Sequence, residues 1–196
     1  SGSQQAILAT ERLVLNCMQR MSGIATLTHE TQSLIKHTSC KILDTRKTTP
    51  NFRLAEKWAV QIGSGTNHRI GLYDMVMLKD NHIDYCGGVT KAIETTLAYL
   101  AREKRDIPVI VETRTLAEVR ECLEFPMLYR ILLDNMSVSL MREAVALVNR
   151  KIPMEASGNI TRETIVAVAE TGVDFISMGA ITYSAGVLDI SLKAVS

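Results

Sequence analysis

Six short apolar runs, each followed by a longer stretch of helical spacing, constrain this chain more than any other feature. The runs are 41–45 (KILDT), 74–79 (DMVMLK), 108–112 (PVIVE), 130–134 (RILLD), 152–156 (IPMEA) and 174–178 (DFISM). Most are continuously apolar instead of alternating. That pattern means burial on both faces, as in a parallel sheet covered by helices. The clearest helix is 88–104, where Val89, Ala92, Ile93, Thr96, Leu97 and Leu100 form one stripe. Thr115 opens another, with Glu118 placed for a capping box and Leu116, Val119, Cys122 and Leu123 facing inward. Further helices are read at 53–61, 138–149 and 161–171, the last closed by Gly172. Two more, at about 4–20 and 23–37, precede the first strand.

Strand–helix alternation with right-handed crossovers gives either an α/β barrel or a doubly wound sheet. No Gly-x-Gly-x-x-Gly follows the first run, which disfavours a dinucleotide fold. Six strands plus an uncertain seventh predict an α/β fold of the incomplete TIM-like barrel type, with about six or seven parallel strands and extra N-terminal helices. Residues 1–38 are read as the helical segment leading in, and 39–196 as the barrel.

Composition excludes several alternatives. The 196 residues are 46% hydrophobic and 22% charged, enough for one domain with a sizeable core. The net charge, 22 − 21 = +1, leaves no excess for holding nucleic acid or an anionic membrane surface. No apolar run approaches the roughly 18 residues of a transmembrane helix, and no signal peptide is recognisable. The four cysteines, Cys17, Cys40, Cys86 and Cys122, contain no Cys-x-x-Cys pair. They fit neither a zinc ribbon nor a disulfide framework, so free thiols in the cytoplasm are expected.

The polar residues gather at one end of the runs. KILDT leads into Arg46-Lys47, and DMVMLK ends in Lys79, followed by Asp80-Asn81-His82. PVIVE ends in Glu112, and RILLD in Asp134 followed by Asn135. IPMEA carries Glu155 and opens into Ser157-Gly158-Asn159, and DFISM opens into Gly179-Ala180. In a β/α barrel the C-terminal strand ends carry the chemistry, above layers of packed aliphatics. One polar strand end is as readily a solvated loop; six together point to a site. The last two loops, 157–160 and 178–182, offer small residues whose N–H groups can approach an anion. Taken alone, a glycine turn is more often only a turn.

Residues 41–82 hold seven cations (Lys41, Arg46, Lys47, Arg53, Lys57, Arg69, Lys79) against four acids, with His68 and His82 beside them. Cations facing the later carboxylates Glu112, Asp134 and Glu155 suit an anionic substrate next to a sugar or a metal. The plainer reading of a basic stretch is a solvated face. Neither histidine stands in a Glu-x-x-His pattern, so zinc is not expected. Arg12, among Leu13, Val14 and Leu15, either snorkels from a buried helix or reaches a neighbour's pocket.

These residues carry a family resemblance. The sequence resembles the quinolinate phosphoribosyltransferases, also called carboxylating nicotinate-nucleotide pyrophosphorylases. The resemblance lies in ATERLVLNCMQRMSGIAT (9–26), ILDTRKTTPNFRLAEKWAV (42–60), NHRIGLYDMVMLKDNHI (67–83), LLDNM (132–136), EASGNI (155–160), TGVDFISMGAIT (171–182) and LDISL (188–192). It implies transfer of phosphoribosyl from phosphoribosyl pyrophosphate to quinolinate. CO2 is lost, and nicotinate mononucleotide and pyrophosphate form, in de novo NAD synthesis. It also implies Mg2+ as cofactor with the pyrophosphate, a homodimer with shared active sites, and an N-terminal α/β sandwich ahead of the catalytic barrel. That sandwich is expected upstream of the present residues.

By the same resemblance, Arg46, His68, Arg69 and Lys79 bind the quinolinate carboxylates, and Lys47 lies between quinolinate and pyrophosphate. Glu112 and Asp134 hold the ribose hydroxyls and Mg2+. Lys47, Glu112 and Asp134 thus form the catalytic set. Ser157, Gly158 and Gly179 surround the 5′-phosphate, and Arg12 enters the partner's pocket. No covalent nucleophile is needed; positioning and electrostatics suffice.

Two positions depart from the family pattern. Asn159 stands where the family has a second glycine, and Tyr183 where it commonly has histidine. Tyrosine donates a hydrogen bond but carries no positive charge at neutral pH. Three alternatives are a molybdenum-transport-associated homologue sharing the TRKT and HR framework, a related phosphoribosyltransferase with another acceptor, and a non-catalytic barrel fragment. A barrel built to pack against a further domain is expected to expose apolar surface.

Overall fold

The structure is a computed structural model that describes residues 2–194. It opens with a long helix α1 (Gln4–Leu34), then β1 (Lys41–Leu43), α2 (Arg53–Ile62) and β2 (Val76–Leu78). A short α3 (Asp80–Cys86) and α4 (Val89–Arg102) lead to β3 (Val109–Thr113) and α5 (Leu116–Cys122). The alternation continues through β4 (Arg130–Asp134), α6 (Val138–Val148), β5 (Met154–Ser157), α7 (Ile165–Ala169), β6 (Phe175–Ser177) and α8 (Ala180–Tyr183).

Every predicted strand forms, shortened by one or two residues at most ends. All six pair in parallel, in the order β1-β6-β5-β4-β3-β2. Ile42, Ile110, Val111, Ile131, Leu133 and Ile176 are fully buried, as continuous apolarity requires of a sheet covered by helices. The sheet does not close, because β1 and β2 remain its edges. The uncertain seventh strand is a single bridge, Thr66 to Leu43, along the free edge of β1. The Thr66 amide donates to Ile42 O at 2.8 Å, and the Asp44 amide to Thr66 O at 3.2 Å. That bridge brings His68 and Arg69 to the mouth.

Three expectations need correction, and one element is added. The two N-terminal helices are one, running through Ser22-Gly23. A Cβ at position 23 would stand 1.8 Å from Gly186 O, so the glycine here serves a close crossing of chains and not a break. Asp80-Asn81-His82, given no element in the sequence reading, opens α3, where the His82 ring Nδ1 accepts the Lys79 amide at 3.0 Å and caps the helix. The helix read at 161–171 shrinks to Ile165–Ala169. The Thr164 hydroxyl accepts the Thr161 amide at 2.9 Å, and that local bond replaces the first helical turn. Finally, the layers beneath the mouth are not all aliphatic: Arg130, Glu155 and Phe175 meet in the interior.

The N-terminal half of α1 is not a buried helix. Leu8, Leu13, Val14 and Met18 are exposed, as are Leu54, Trp58 and Ile62 along α2. The snorkelling reading of Arg12 therefore falls, since that side chain stands on an open face. The expected exposed apolar surface is present. Among the described residues no helix is long and apolar enough to cross a membrane. All four cysteines are free. Burial pushes the thiols of Cys40 and Cys122 up to about 12.

Candidate active site

The C-terminal strand ends converge on one cleft of about 470 Å³. It is lined by Arg46, Lys47, His68, Arg69, Lys79, Glu112, Asp134, Ser157, Gly158 and Gly179, with Asn159 and Tyr183 at its rim. Of the predicted site residues only Arg12 lies elsewhere, exposed on α1.

The seven cations of 41–82 divide by role. Lys57 is buried and pairs with Asp44, also fully buried, while donating to His68 O at 3.0 Å. Asp44 also accepts the His68 amide at 2.8 Å and the Asn67 side-chain amide at 2.5 Å. Burial opposes charge on both partners, pushing the Asp44 carboxyl up and the Lys57 ammonium down. Arg53 donates to Ile70 O at 3.0 Å, to Arg46 O at 3.2 Å and to the Thr48 hydroxyl at 3.0 Å. Both side chains build the loops. Lys41, at the opposite strand end, is exposed. The remaining four, Arg46, Lys47, Arg69 and Lys79, face the cleft.

Three of these four lack a carboxylate partner among the described residues. Arg46 and Lys47 side chains meet no acceptor among the described residues, whereas Lys79 pairs with Glu112 at 2.6 Å. The Arg69 guanidinium donates to one acceptor among the described residues, Met75 O, at 3.2 Å. Burial, reinforced by repulsion from Arg46, pushes the Arg69 guanidinium down from its ordinary value. Two planar guanidinium groups repelling one another in a cleft form a site that an anion would stabilise.

The loop behind Arg69 is set by Asp74, which accepts the Ile70 amide at 2.7 Å and the Gly71 amide at 2.8 Å. Partial burial would raise the Asp74 carboxyl, but these backbone donors outweigh it and hold the group below the usual carboxylate range. Its contribution to loop order is thus present above about pH 4 and is lost as pH falls through the lower folded value. Amide-proton shifts of Ile70 and Gly71, followed from neutral pH downward, should move only below that point. A transition near neutrality would contradict the assignment.

Opposite the cations stand Glu112, Asp134 and Glu155. Register places Glu112, Leu132 and Glu155 in one row across β3, β4 and β5, with Asp134 and Ser157 two residues nearer the mouth. The first glycine loop is clamped to the turn after β4. The Asn135 amide donates to Ser157 O at 2.9 Å, and the Asn159 side chain donates to Asn135 Oδ1 at 2.9 Å. Asn159 has φ 49°, a left-handed conformation that asparagine tolerates, so its exchange for glycine keeps the turn.

Gly158 has φ 95°, and a Cβ there would meet the Asn135 side chain at 2.3 Å. Gly158→Ala should therefore cost about 1–3 kcal/mol in urea unfolding and weaken inorganic phosphate binding. An unchanged midpoint would show that this loop is not held as described. At the last loop, the Thr182 hydroxyl donates to Lys47 O at 3.0 Å, fixing that backbone. A Cβ on Gly179 would crowd the Tyr183 ring at 2.6 Å and Lys47 at 3.2 Å.

Sequence reading missed two contributors. Arg20 donates to Glu56 at 2.9 Å and to Thr182 O and Ala185 O at 2.7 Å each, joining α1, α2 and the α8 loop. Glu56 in turn accepts the Thr49 amide at 3.0 Å and the Thr49 hydroxyl at 2.8 Å. The second is Arg130 beneath Glu155, at 2.6 Å. Arg130 carries no sequence signal, because it opens a strand at the end away from the mouth.

Fold and cleft together define an unclosed α/β barrel with a cation-lined cleft at its C-terminal strand ends. Residues 24–193 match the family model described as quinolinate phosphoribosyl transferase, C-terminal domain. The chain is 52% identical to "Nicotinate-nucleotide pyrophosphorylase [carboxylating], chloroplastic" of Oryza sativa subsp. japonica, over 98% of this chain and 55% of that protein. It is 42% identical to the "Probable nicotinate-nucleotide pyrophosphorylase [carboxylating]" of Bacillus subtilis, over 97% of this chain and 65% of that one. The solved nicotinate-nucleotide pyrophosphorylase of Francisella tularensis superposes with a TM-score of 0.89 at 43% identity, covering 96% of this chain and 65% of its own. The chain belongs to the quinolinate phosphoribosyltransferase family. It spans little more than half the length of the plant relative.

Proposed function

We propose that the protein carrying this chain transfers phosphoribosyl from phosphoribosyl pyrophosphate to quinolinate, releasing pyrophosphate and CO2 and forming nicotinate mononucleotide. The observation that carries the proposal is the meeting of four cations, three carboxylates and two glycine loops in one cleft. Arg46 and Arg69 offer planar forks for the two ring carboxylates, and Lys79 adds a point charge. Ser157, Gly158 and Gly179 let backbone N–H groups approach the 5′-phosphate. Lys47 lies where it can neutralise the departing pyrophosphate. Glu112 and Asp134 face the sugar, where they stabilise the positive charge that develops on the ribose as pyrophosphate leaves. Loss of CO2 leaves an electron pair on ring C2, which the adjacent pyridinium charge stabilises until a proton from water completes the C–H bond.

Glu112 and Asp134 are the residues that would hold Mg2+. Among the described residues no group of three or more metal-ligating side chains exists. That suits an ion held by one or two carboxylates and substrate phosphates instead of an all-protein cage. When bound, Mg2+ neutralises pyrophosphate charge.

The proposal includes a homodimer, in which exposed Arg12 reaches the second copy's cleft, and a cytoplasmic location. The printed name of the rice relative places that protein in the chloroplast. The test is a quinolinate-dependent assay of the full-length protein for nicotinate mononucleotide and pyrophosphate, with and without Mg2+. A panel of pyridine monocarboxylates runs alongside. Turnover of quinolinate alone, with Mg2+, is expected. Preference for a monocarboxylate would overturn the acceptor, and no turnover of any acceptor would overturn the enzyme reading.

A further inference from the structure

We propose that Glu155, seated on Arg130, is a positioning residue that fixes the His68 ring and, through it, the Arg69 backbone in the cleft. The inference rests on reading the cleft as an anion site. Glu155 is fully buried on β5, and its Oε2 accepts from Arg130 Nη1 at 2.6 Å. The same oxygen lies 3.4 Å from His68 Nε2, a charge contact longer than a formed hydrogen bond, and the buried Nε2 has no other partner among the described residues. Arg130 is itself buried, with the Phe175 ring 3.9 Å from its guanidinium carbon. Burial alone would raise the Glu155 carboxyl, but the imidazole and the guanidinium more than offset it and hold the group ionised.

The other face of the His68 ring settles its tautomer. Nδ1 accepts the Arg69 amide at 2.6 Å, so the ring proton sits on Nε2 and faces Glu155. The column therefore runs Arg130, Glu155, His68, Arg69, from the interior up to the anion pocket. A buried ion pair is a weak source of stability, since apolar replacements of similar volume are often neutral. Its effect here is geometric: it defines which nitrogen of His68 carries the proton, and so keeps Nδ1 available to hold the Arg69 backbone.

The double variant E155L/R130M tests this, because it removes the acceptor opposite His68 Nε2 without leaving a buried charge unpaired. In 15N spectra of histidine-labelled chain, His68 should show one tautomer in the unaltered protein and a redistributed one in E155L/R130M. Calorimetric affinity for pyridine-2,3-dicarboxylate should fall about tenfold or more in the double variant, while inorganic phosphate affinity changes by less than about twofold.

The double variant should keep the cooperative unfolding of the unaltered chain. Glu155→Gln is the conservative control: the amide oxygen that stays on Arg130 Nη1 is the one nearest His68 Nε2, so E155Q should keep the His68 tautomer and most of the dicarboxylate affinity. An unchanged His68 tautomer in E155L/R130M would overturn the proposal, as would a redistributed one in E155Q or unchanged dicarboxylate affinity in the double variant of a chain that binds it. If the unaltered chain binds no dicarboxylate, the function reading fails, and the tautomer measurement still decides the role of Glu155.

Discussion

Arg69→Ala is expected to weaken pyridine-2,3-dicarboxylate binding by about 2–4 kcal/mol, on the order of a hundredfold, without lowering the melting temperature. The two halves of this result have one cause. The Arg69 guanidinium is partly desolvated beside Arg46 and has one backbone acceptor, at 3.2 Å. Removing it relieves like-charge repulsion in the free protein and deletes half of the paired fork that receives the anion. Calorimetry and thermal unfolding of the same variant check both. A large loss of stability would mean that Arg69 is structural, and unchanged affinity would mean that the anion binds elsewhere.

The second large effect is on stability. Lys57→Met should cost about 3–5 kcal/mol, a fall of about 10–15 °C in Tm, because it leaves Asp44 buried without its cation. Side-chain exposure is 2% for Lys57 and 0% for Asp44, so water cannot replace the ammonium. The double variant Asp44→Leu/Lys57→Met should recover much of the loss in urea unfolding, since an apolar pair of similar volume avoids the unpaired charge. It should not recover anion binding, because Asp44 also holds the His68 amide at 2.8 Å and the Asn67 side chain at 2.5 Å. A single variant costing less than about 1 kcal/mol would show that the pair is solvated, contrary to its burial.

Lys57 also marks the limit of what the sequence discloses. Continuous apolarity located all six strands, and their polar C-terminal ends located the cleft, because both signals are local. The basic composition of 41–82 did not distinguish cations that face a ligand from cations that hold the scaffold. Lys57 and Arg53 differ from Arg46 and Arg69 only through partners brought near by folding: Asp44 in one case, backbone carbonyls in the other. Gly23 failed as a helix breaker for the same reason, since the carbonyl it accommodates belongs to Gly186 near the other end of the chain. Arg130 was invisible because a charged residue at the start of a strand reads as surface, and only the sheet places it inside. By contrast, the Thr115 cap was legible and formed, with the Thr115 hydroxyl accepting the Glu118 amide at 3.2 Å. Glu118 reaches back one residue further than expected, to the Arg114 amide.

The most direct measurement is a crystal structure of the chain grown with quinolinate. The ring should lie in the cleft with its carboxylates about 2.7–3.0 Å from the guanidinium groups of Arg46 and Arg69, and its nitrogen turned toward Glu112 and Asp134. A ligand ordered on another face of the barrel, with those two guanidinium groups left in solvent, would contradict the account.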